Sequence, residues 1–390
     1  MIRPHSVQFI DNYFPVIDGV TETVHQYAKH MDAAVVCPAM ESRYLEKHDF
    51  PYKVLTSATL RAPFSRYAVT VPGLDPKLRA AIEQEHADIF HFHSQTMQGK
   101  YVISLGRKTG VPVVASFHSK CYDAILEFIK SKTMAKELTR QIVRMYEDAD
   151  EVWTCSEETG ETLRSYGFRK PYYVVPNGTD VSVPAHPEEL KERAAERFRI
   201  PRDRHILLFV GQQIWYKNQR LILDAFRLLC DKSDDYFLVM AGSGKDEKEI
   251  ERYAASLGLT DRQIRFTGLV SDRDLLNGIY LSADLLFFPS VFDNAPLVLR
   301  EAAVLAVPTL ATEGSNAAGA IRKDFNGYTA ADTPQAMCGE ILRIFTETDI
   351  RQVGRNAQQT IPVSWENLAQ QVLERYGTVI GRYRSRTGKR

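Results

Sequence analysis

Short apolar runs alternate with longer mixed segments along most of the chain. Each run is short enough for a buried strand, and the segments between the runs are typical of helices or loops. A helix is expected to begin near Thr21. In the first half this pattern predicts strands at residues 6–10, 34–37, 89–91, 113–117, 152–154 and 173–175. Strands and helices that alternate in this way indicate a doubly wound α/β domain.

The second half of the chain repeats the alternation. Between residues 181 and 204 the sequence is polar, charged and rich in proline, which is typical of a linker between domains. A final helical segment is predicted from about Ser364 to Gly381, and the basic end from Arg382 to Arg390 is expected to be disordered. Strands of the second α/β domain are predicted at residues 205–211, 237–242, 264–268, 285–290 and 308–312.

One segment of the second domain, Ser282 to Thr312, combines a strand, a loop and a buried helix. The apolar run at 285–288 stops at a proline, which a central strand does not tolerate. Asp293 and Asn294 offer capping oxygens, and Pro296 suits the first turn of the mostly apolar helix that follows. The loop is therefore expected at the carboxyl end of a parallel strand, where ligands bind in open α/β sheets.

The chemistry of this loop suits a phosphate that is flanked by hydroxyl groups. The start of a helix presents backbone amides and a partial positive charge to an anion. Two carboxylates, Asp293 and Glu301, stand about two helical turns apart and can hold the two ends of one ligand. A nucleotide sugar fits this description.

The same segment resembles the signature of the retaining glycosyltransferases of family four, which have the GT-B fold. In that family two glutamates at this spacing grip the donor sugar and the nucleotide ribose; Glu301 matches the second, and Asp293 is a shortened form of the first. The resemblance covers nearly the whole chain and implies an α/β architecture of two Rossmann-like domains that face a cleft. It implies an N-terminal acceptor-binding domain at 1–185, a C-terminal nucleotide-sugar-binding domain at 205–363, and a C-terminal helix at about 365–390 that packs on the first domain.

In the first domain the resemblance points to Gly19 and His118. Family members carry one or two glycines beside the donor phosphates, and here Asp18 precedes the single Gly19. His118 follows a predicted strand and matches the histidine that the family places over the donor sugar, although a hydrogen-bonded loop histidine is the alternative. His91 and His93 could bind a metal in principle, but the spacing offers no third ligand, so a position lining the cleft is favoured.

In the second domain the family holds the diphosphate with an arginine and a lysine. Lys217 matches the lysine, whereas Gln212 stands at the arginine position and can donate hydrogen bonds without supplying charge. The resemblance assigns catalytic roles to His118, Lys217 and Asp293. It places further donor contacts at Leu269, in the segment that meets the base, and at Asn294, Ala295, Pro296 and Leu297 near the diphosphate.

Composition and charge narrow the possible classes of function and of binding site. Lysine plus arginine equals aspartate plus glutamate at 49 each, so no global field favours nucleic acid. The five cysteines are scattered, which predicts neither a disulfide framework nor a zinc site and suits a reducing cytosol. No long apolar window predicts a signal peptide or a membrane span. The acidic pair Asp148 and Asp150 resembles a metal-binding motif but precedes a strand, so no metal site is predicted.

These observations predict a cytoplasmic retaining glycosyltransferase. Its donor would be a UDP- or GDP-linked sugar, with no separate cofactor, and its acceptor a hydroxyl of a glycan, a lipid or a small molecule. In retaining enzymes of this family the leaving diphosphate acts as the base, so the resemblance implies no protein nucleophile. Two alternatives stay open: a non-catalytic sugar-nucleotide-binding partner, suggested by Asp18, Gln212 and Asp293, or another GT-B enzyme such as a nucleotide-sugar epimerase.

A basic stripe is predicted on one helix between Ile125 and Tyr146. Its four cations recur at every fourth residue: Lys132, Lys136, Arg140 and Arg144. One interpretation is a solvated surface balanced by nearby glutamates. The other is peripheral contact with an anionic membrane at its inner surface, or a grip on an anionic acceptor, to which the basic C-terminal tail would add.

Overall fold

The computed structural model describes residues 3–16, 18–39, 44, 47–61, 68–70, 72–118 and 120–388, apart from the side chains of residues 60, 61, 68, 69, 124 and 127. The chain divides into two compact units. The first unit is Met1–Gly178 with Ser364–Arg390, and the second is Thr179–Val363. Each unit contains a parallel sheet with its own buried core, so the predicted class of two Rossmann-like α/β domains is confirmed.

The first unit is built on a seven-stranded sheet in the order β3-β2-β1-β6-β7-β8-β9, and all of its described pairings are parallel. Its central strands are buried on both faces, as parallel strands covered by helices must be. A short antiparallel pair, β4 with β5, stands apart from the sheet. The strands are β1 Ser6–Phe9, β2 Ala33–Pro38, β3 Lys53–Ser57, β4 Thr59–Arg61, β5 Ala68–Thr70, β6 Ile89–Phe92, β7 Val113–Phe117, β8 Glu151–Thr154 and β9 Tyr172–Val174.

The helices of the first unit mostly begin at residues that cap them. Asp18, Asp75, Thr96, Ser131 and Ser156 each accept a hydrogen bond from a first-turn amide, which satisfies a donor that the helix leaves unpaired. The helices are α1 Gly19–His30, α2 Pro76–Gln84, α3 Met97–Thr109, α4 Cys121–Ile129, α5 Lys132–Glu147, α6 Glu157–Ser165 and, from the end of the chain, α14 Trp365–Thr387.

The second unit contains a six-stranded parallel sheet in the order β12-β11-β10-β13-β14-β15. Apolar side chains of its central strands fill the core. The strands are β10 His205–Val210, β11 Tyr236–Ala241, β12 Ile264–Gly268, β13 Leu285–Phe288, β14 Thr309–Thr312 and β15 Tyr328–Ala330. The helices are α7 Pro187–Phe198, α8 Gln219–Cys230, α9 Glu247–Ser256, α10 Arg273–Ser282, α11 Leu297–Val304, α12 Pro334–Glu347 and α13 Ile350–Thr360.

Each sheet has a point at which the chain reverses the direction in which strands are added. In the first sheet this point lies between β1 and β6, and in the second it lies between β10 and β13. The loops that leave two such strands diverge to opposite faces and open a crevice at the carboxyl edge of the sheet, where ligands bind. Functional residues are therefore expected in the loops after β1, β6, β10 and β13.

Three sequence-based expectations are wrong. The expected linker contains α7, which packs on α10 inside the second unit. The basic segment that was predicted as one helix forms two, because Lys130 adopts a left-handed conformation with φ of 55° between α4 and α5. The basic end is helical through Thr387, because Arg382 pairs with Glu151 and Arg386 with Asp150; residues 389 and 390 lie outside the described part.

Candidate functional site

The loop after β10 carries Lys217 to the carboxyl edge of the second sheet. A short 3-10 turn, Trp215–Lys217, ends at Asn218, which is left-handed with φ of 66°. Asparagine tolerates this conformation better than most residues. Its amide Nδ2 donates to the carbonyl oxygen of Pro289 at 3.1 Å, at the end of β13, and to Asp332 Oδ1 at 2.7 Å. Asn218 thus fixes the loop after β10 to the loop after β13 at the switch point.

Lys217 forms an ion pair with Asp293 from the loop after β13. Both side chains are largely buried, with 16% and 19% of their surface exposed. The lysine occupies only Oδ1 of the carboxylate, and Oδ2 is buried without a hydrogen-bond partner in the described part of the chain. A buried carboxylate oxygen without a partner is costly, so Oδ2 is suited to accept a hydrogen bond from a ligand hydroxyl.

The helix after this loop, α11, begins differently from the predicted helix. Pro296 is its N-cap and supplies no side-chain hydrogen bond, so the expected caps at Asp293 and Asn294 are wrong. Asn294 is instead buried, and its Oδ1 accepts from Asn316 Nδ2 at 2.7 Å. Ala295, Pro296 and Leu297 are half-buried. First-turn amides without a side-chain cap suit an anionic ligand such as a phosphate.

Glu301 lies on α11, whereas Asp293 precedes the helix. The expectation that both carboxylates lie on one helix is therefore wrong. Glu301 Oε1 accepts from Arg273 Nη2 at 3.1 Å and Oε2 accepts from the Tyr280 hydroxyl at 2.9 Å. Burial and the nearby Glu301 carboxylate raise the pKa of Tyr280 well above its usual value, so this hydroxyl remains a donor. A carboxylate has about four lone-pair sites, so Glu301 can still accept from a ligand.

Gln212 and Leu269 occupy exposed positions near the same edge of the second sheet. The Gln212 side chain is exposed, while its carbonyl oxygen accepts from Gln219 Nε2 at 3.0 Å. Leu269 follows β12 and is 74% exposed. The loop after β11 presses on the loop that holds Gln212, since a Cβ atom on Gly242 would lie 2.1 Å from the carbonyl oxygen of Gly211. Only glycine permits that approach.

Gly19 and His118 belong to the first unit; the remaining predicted site residues belong to the second. Gly19 is the first residue of α1 and is exposed. The preceding residue, Asp18, caps this helix: its Oδ1 accepts from the amides of Val20 at 3.0 Å and Thr21 at 2.8 Å. A carboxylate therefore occupies the helix start at which the resemblance implies a phosphate.

His118 follows β7 directly and is half-buried. Burial lowers its pKa to about 4, and the nearby Asp18 carboxylate opposes part of that shift. Its Nε2 lies 3.0 Å from Nδ1 of His93. His118 is therefore neutral at physiological pH and is held by a second histidine beneath it.

Sequence reasoning missed Asp11, which lies just beyond β1 at the switch point of the first sheet. Thr70 Oγ1 donates to its Oδ1 at 2.9 Å, and Thr96 donates to its Oδ2. Burial raises the pKa of Asp11, and the hydrogen bonds from Thr96, Thr70 and Ser94 offset part of this increase. Its position after a strand at the centre of the sheet was the signal that could have identified it.

The described residues offer neither a metal site nor a membrane span. No cluster of three histidine, cysteine or acidic side chains is placed to hold a metal ion within those ranges. Across the same ranges, no helix has both the length and the apolar character that crossing a bilayer requires.

Two family matches together span most of the chain. Residues 17–183 match the family described as Glycosyltransferase Family 4, and residues 191–360 match Glycosyl transferases group 1. The chain is 24% identical over 311 residues to alpha-monoglucosyldiacylglycerol synthase of Streptococcus pneumoniae, covering 78% of this chain and 70% of that protein. It is 27% identical over 206 residues to GDP-mannose-dependent alpha-(1-6)-phosphatidylinositol dimannoside mannosyltransferase of Mycobacterium tuberculosis, covering 53% of this chain and 52% of that protein.

Solved structures share the fold over nearly the full length. Anabaena HepE, in complex with UDP and glucose, is similar with a TM-score of 0.73 and 17% identity, covering 96% of this chain and 100% of HepE. Sucrose-phosphate synthase from Thermosynechococcus elongatus is similar with a TM-score of 0.75 and 18% identity, covering 97% of this chain and 100% of that one. With two parallel α/β sheets and family matches in both halves, this chain belongs to the family-four glycosyltransferases of GT-B fold.

Proposed function

We propose that this chain is a retaining glycosyltransferase that uses a UDP- or GDP-linked sugar and requires no metal ion. The observation that carries the proposal is the Lys217–Asp293 ion pair at the switch point of the second sheet. It combines a cation for a diphosphate with an unpaired carboxylate oxygen for a sugar hydroxyl. Anabaena HepE binds UDP with glucose and binds UDP-glucose, which supports a donor of this class.

The proposed chemistry breaks the bond between the anomeric carbon and the diphosphate oxygen. The acceptor hydroxyl forms its new bond on the same face of the sugar, and its proton passes to the leaving diphosphate. Lys217, the Gln212 amide and the first-turn amides of α11 stabilise the charge that grows on the diphosphate. Asp293 orients the sugar hydroxyls, Glu301 accepts from the ribose, and the segment around Leu269 meets the base.

Transfer and hydrolysis assays test this function. The protein is incubated with UDP-glucose, UDP-galactose, GDP-mannose and a panel of lipid and glycan acceptors, and proton NMR of the product reports the anomeric configuration. We expect transfer with retention of configuration, also in the presence of a chelator. In Lys217→Met we expect transfer to fall roughly a hundredfold. Nucleotide-sugar binding without transfer or hydrolysis would instead favour a non-catalytic partner. An inverted product, or activity abolished by the chelator and restored by a divalent ion, would overturn the stated mechanism.

For the acceptor we propose a lipid at an anionic membrane surface. The relatives from S. pneumoniae and M. tuberculosis are named for the lipids diacylglycerol and phosphatidylinositol dimannoside. The basic stripe on α5 is exposed along its full length, and Arg140 pairs with Glu137 at 3.0 Å. Large apolar side chains are also exposed on α4 and α5: Phe128, Met134 and Leu138. Cations near an anionic surface contribute about 1 kcal/mol each, and exposed apolar side chains can enter the interface.

Vesicle sedimentation tests this acceptor proposal. We expect binding to phosphatidylglycerol vesicles but not to phosphatidylcholine vesicles, weakened by salt and by changing Lys132, Lys136, Arg140 and Arg144 to Ser. The matched control changes four exposed cations of the second unit to Ser: Lys232, Lys248, Arg252 and Arg262. Equal loss in both variants would indicate a nonspecific charge effect. Failure of the wild type to bind at low salt would leave a glycan or small-molecule acceptor.

A further inference from the structure

The carboxylate of Glu301 is held by two donors from one helix of the second unit. Arg273 and Tyr280 lie seven residues apart on α10, which places them about two turns apart on one face. Arg273 Nη2 donates to Oε1 of Glu301 at 3.1 Å, and the Tyr280 hydroxyl donates to Oε2 at 2.9 Å. Each carboxylate oxygen therefore has its own donor, and a rotation of the carboxylate plane weakens both hydrogen bonds.

Helix α10 has a fixed place in the second unit. Asp272 is its N-cap and accepts from the amide of Leu275 at 3.1 Å. The helix packs closely on α7, since a Cβ atom on Gly278 would lie 2.2 Å from the carbonyl oxygen of Leu190. A helix that is packed in this way holds the side chains that it carries more precisely than a loop does. Both donors are therefore presented to the carboxylate from a rigid element.

The two donors contribute differently to stability. The Tyr280 side chain is fully buried, so its hydroxyl needs an acceptor, and Glu301 provides one. Arg273 has 43% of its side chain exposed, and an ion pair at such a position contributes little to stability. Folding alone therefore accounts for the contact of Tyr280 but not for the contact of Arg273, which points to a role at the site.

Glu301 keeps acceptor capacity beyond these two contacts. A carboxylate has about four lone-pair sites, and Arg273 and Tyr280 use one on each oxygen. The Glu301 side chain is 16% exposed, so it is largely but not completely shielded from water. Because the two donors fix the plane of the carboxylate, they also determine the direction in which its remaining lone pairs point.

We propose that Arg273 and Tyr280 are positioning residues that orient Glu301 toward the ribose hydroxyls of the donor nucleotide and thereby set its selectivity for ribose over deoxyribose. The ribose contact rests on the proposed function, and all three residues belong to the second unit. An acceptor that is fixed before the nucleotide arrives lowers the cost of ordering it on binding. A nucleotide that lacks a ribose hydroxyl leaves this charged acceptor without a donor, which costs affinity.

Titration calorimetry with UDP, GDP and their 2′-deoxy and 3′-deoxy forms tests the positioning role. We expect the wild type to bind its preferred ribonucleotide at least about tenfold more tightly than the deoxy forms, the value of one hydrogen bond to a charged group. In Tyr280→Phe and in Arg273→Leu this ratio should fall at least about threefold, while affinity for the deoxy forms stays near that of the wild type. In a Glu301→Ala background neither substitution should change the ratio further.

Two further variants separate positioning from a structural role. Arg273→Lys keeps a cationic donor and should retain part of the ribose preference. Arg193→Leu is the matched control, because it breaks a 2.7 Å ion pair with Asp272, next to Arg273, and should leave the preference unchanged.

The outcomes distinguish this inference from the proposed function. If Tyr280→Phe does not fold, Arg273→Leu, at an exposed position, decides alone. An unchanged ratio, or equal losses of affinity for the ribose and deoxyribose forms, would overturn the positioning role and leave the proposed function standing. A wild type that binds nucleoside diphosphates without preferring ribose would also overturn it. A wild type that binds none of these nucleotides would reject the proposed function, and this inference with it.

Discussion

At the scale of single residues, the candidate site differs from the family pattern in charge more than in position. Lys217 and Asp293 lie at the switch point of the second sheet and bind each other directly. Gln212 replaces a cation with an exposed amide. On the proposed assignment, a diphosphate would meet one lysine and backbone amides in the second unit, where the family pattern has a second cation as well.

The first prediction concerns Lys217 and Glu301. Lys217→Met and Glu301→Ala each remove one charged hydrogen bond to the donor, worth about 2–3 kcal/mol, so transfer should fall roughly a hundredfold. Lys217→Met also leaves Asp293 buried without its cation, so its melting temperature should fall as well. Steady-state kinetics and thermal unfolding measure the two effects. Lys248→Ala, at an exposed position on α9, is the control. Wild-type rates in folded variants would reject the assigned site.

The second prediction concerns the missing cation. Gln212→Arg should tighten UDP or GDP binding by roughly tenfold to a hundredfold, because a charge-assisted hydrogen bond to phosphate is worth about 1.5–3 kcal/mol. Titration calorimetry measures the change. Gln212→Leu is the matched control and should weaken binding slightly. If the arginine variant binds no tighter than wild type, residue 212 does not face the diphosphate.

At the scale of elements, the bounds of a strand were predicted most accurately where a short apolar run ends in a turn. The bounds of β7 and β12 agree with the predicted runs at 113–117 and 264–268. The edge strand β3 was missed because its sequence, KVLTS, mixes polar and apolar residues and has no apolar run long enough to indicate a buried strand. It also begins at a charged lysine. Helix α7 was missed because it buries only two alanines of its charged sequence, Ala194 and Ala195.

Contacts between distant parts of the chain could not be predicted from local pattern. Arg273 and Tyr280 reach Glu301 from another helix, and nothing in their own surroundings marks them as partners. The basic end of α14 was expected to be disordered, yet Arg382 pairs with Glu151, which Arg375 also binds with two hydrogen bonds of 2.7 Å. Charge composition alone cannot tell a solvated tail from one whose cations meet carboxylates folded far away in sequence.

The third prediction separates the two roles of Asp18 at the start of α1. As a cap it satisfies two amides, so Asp18→Ala should lower the free energy of unfolding by about 1 kcal/mol, whereas Asp18→Asn keeps a capping oxygen and most of the stability. As a charge it repels phosphate. If a donor phosphate approaches Gly19, as the resemblance implies, Asp18→Asn should tighten nucleoside diphosphate binding several-fold.

Denaturant unfolding and calorimetry on the same two variants decide this point. Tighter binding in Asp18→Asn with unchanged stability would support repulsion at the helix start. Weaker binding in Asp18→Asn would mean that the carboxylate itself contacts the donor. No change in binding in either variant would remove Gly19 and its neighbours from the donor site.

At the scale of the whole molecule, the two units should respond differently to acid. The first unit contains three neutral histidines, the buried His91 and His93 and the half-buried His118, whose pKa values are lowered chiefly by burial. The unfolded chain takes up protons on these histidines below about pH 6.5, while the folded unit does not. Stability is therefore lost as pH falls from about 6.5 toward 4, by up to about 1.4 kcal/mol per pH unit for each histidine. Asp11, whose pKa burial raises, acts in the opposite sense.

Hydrogen exchange read by mass spectrometry at pH 7.5, 6.5 and 5.5 tests this last prediction unit by unit. After correction for the intrinsic exchange rate, protection in peptides from β6 and β7 should fall with pH, while protection in peptides from β10 and β11 should change less. His93→Asn removes one of the three titrating groups and should flatten the dependence in the first unit by about a third. Parallel loss of protection in both sheets, or a His93→Asn profile identical to the wild type, would contradict an origin in these three histidines.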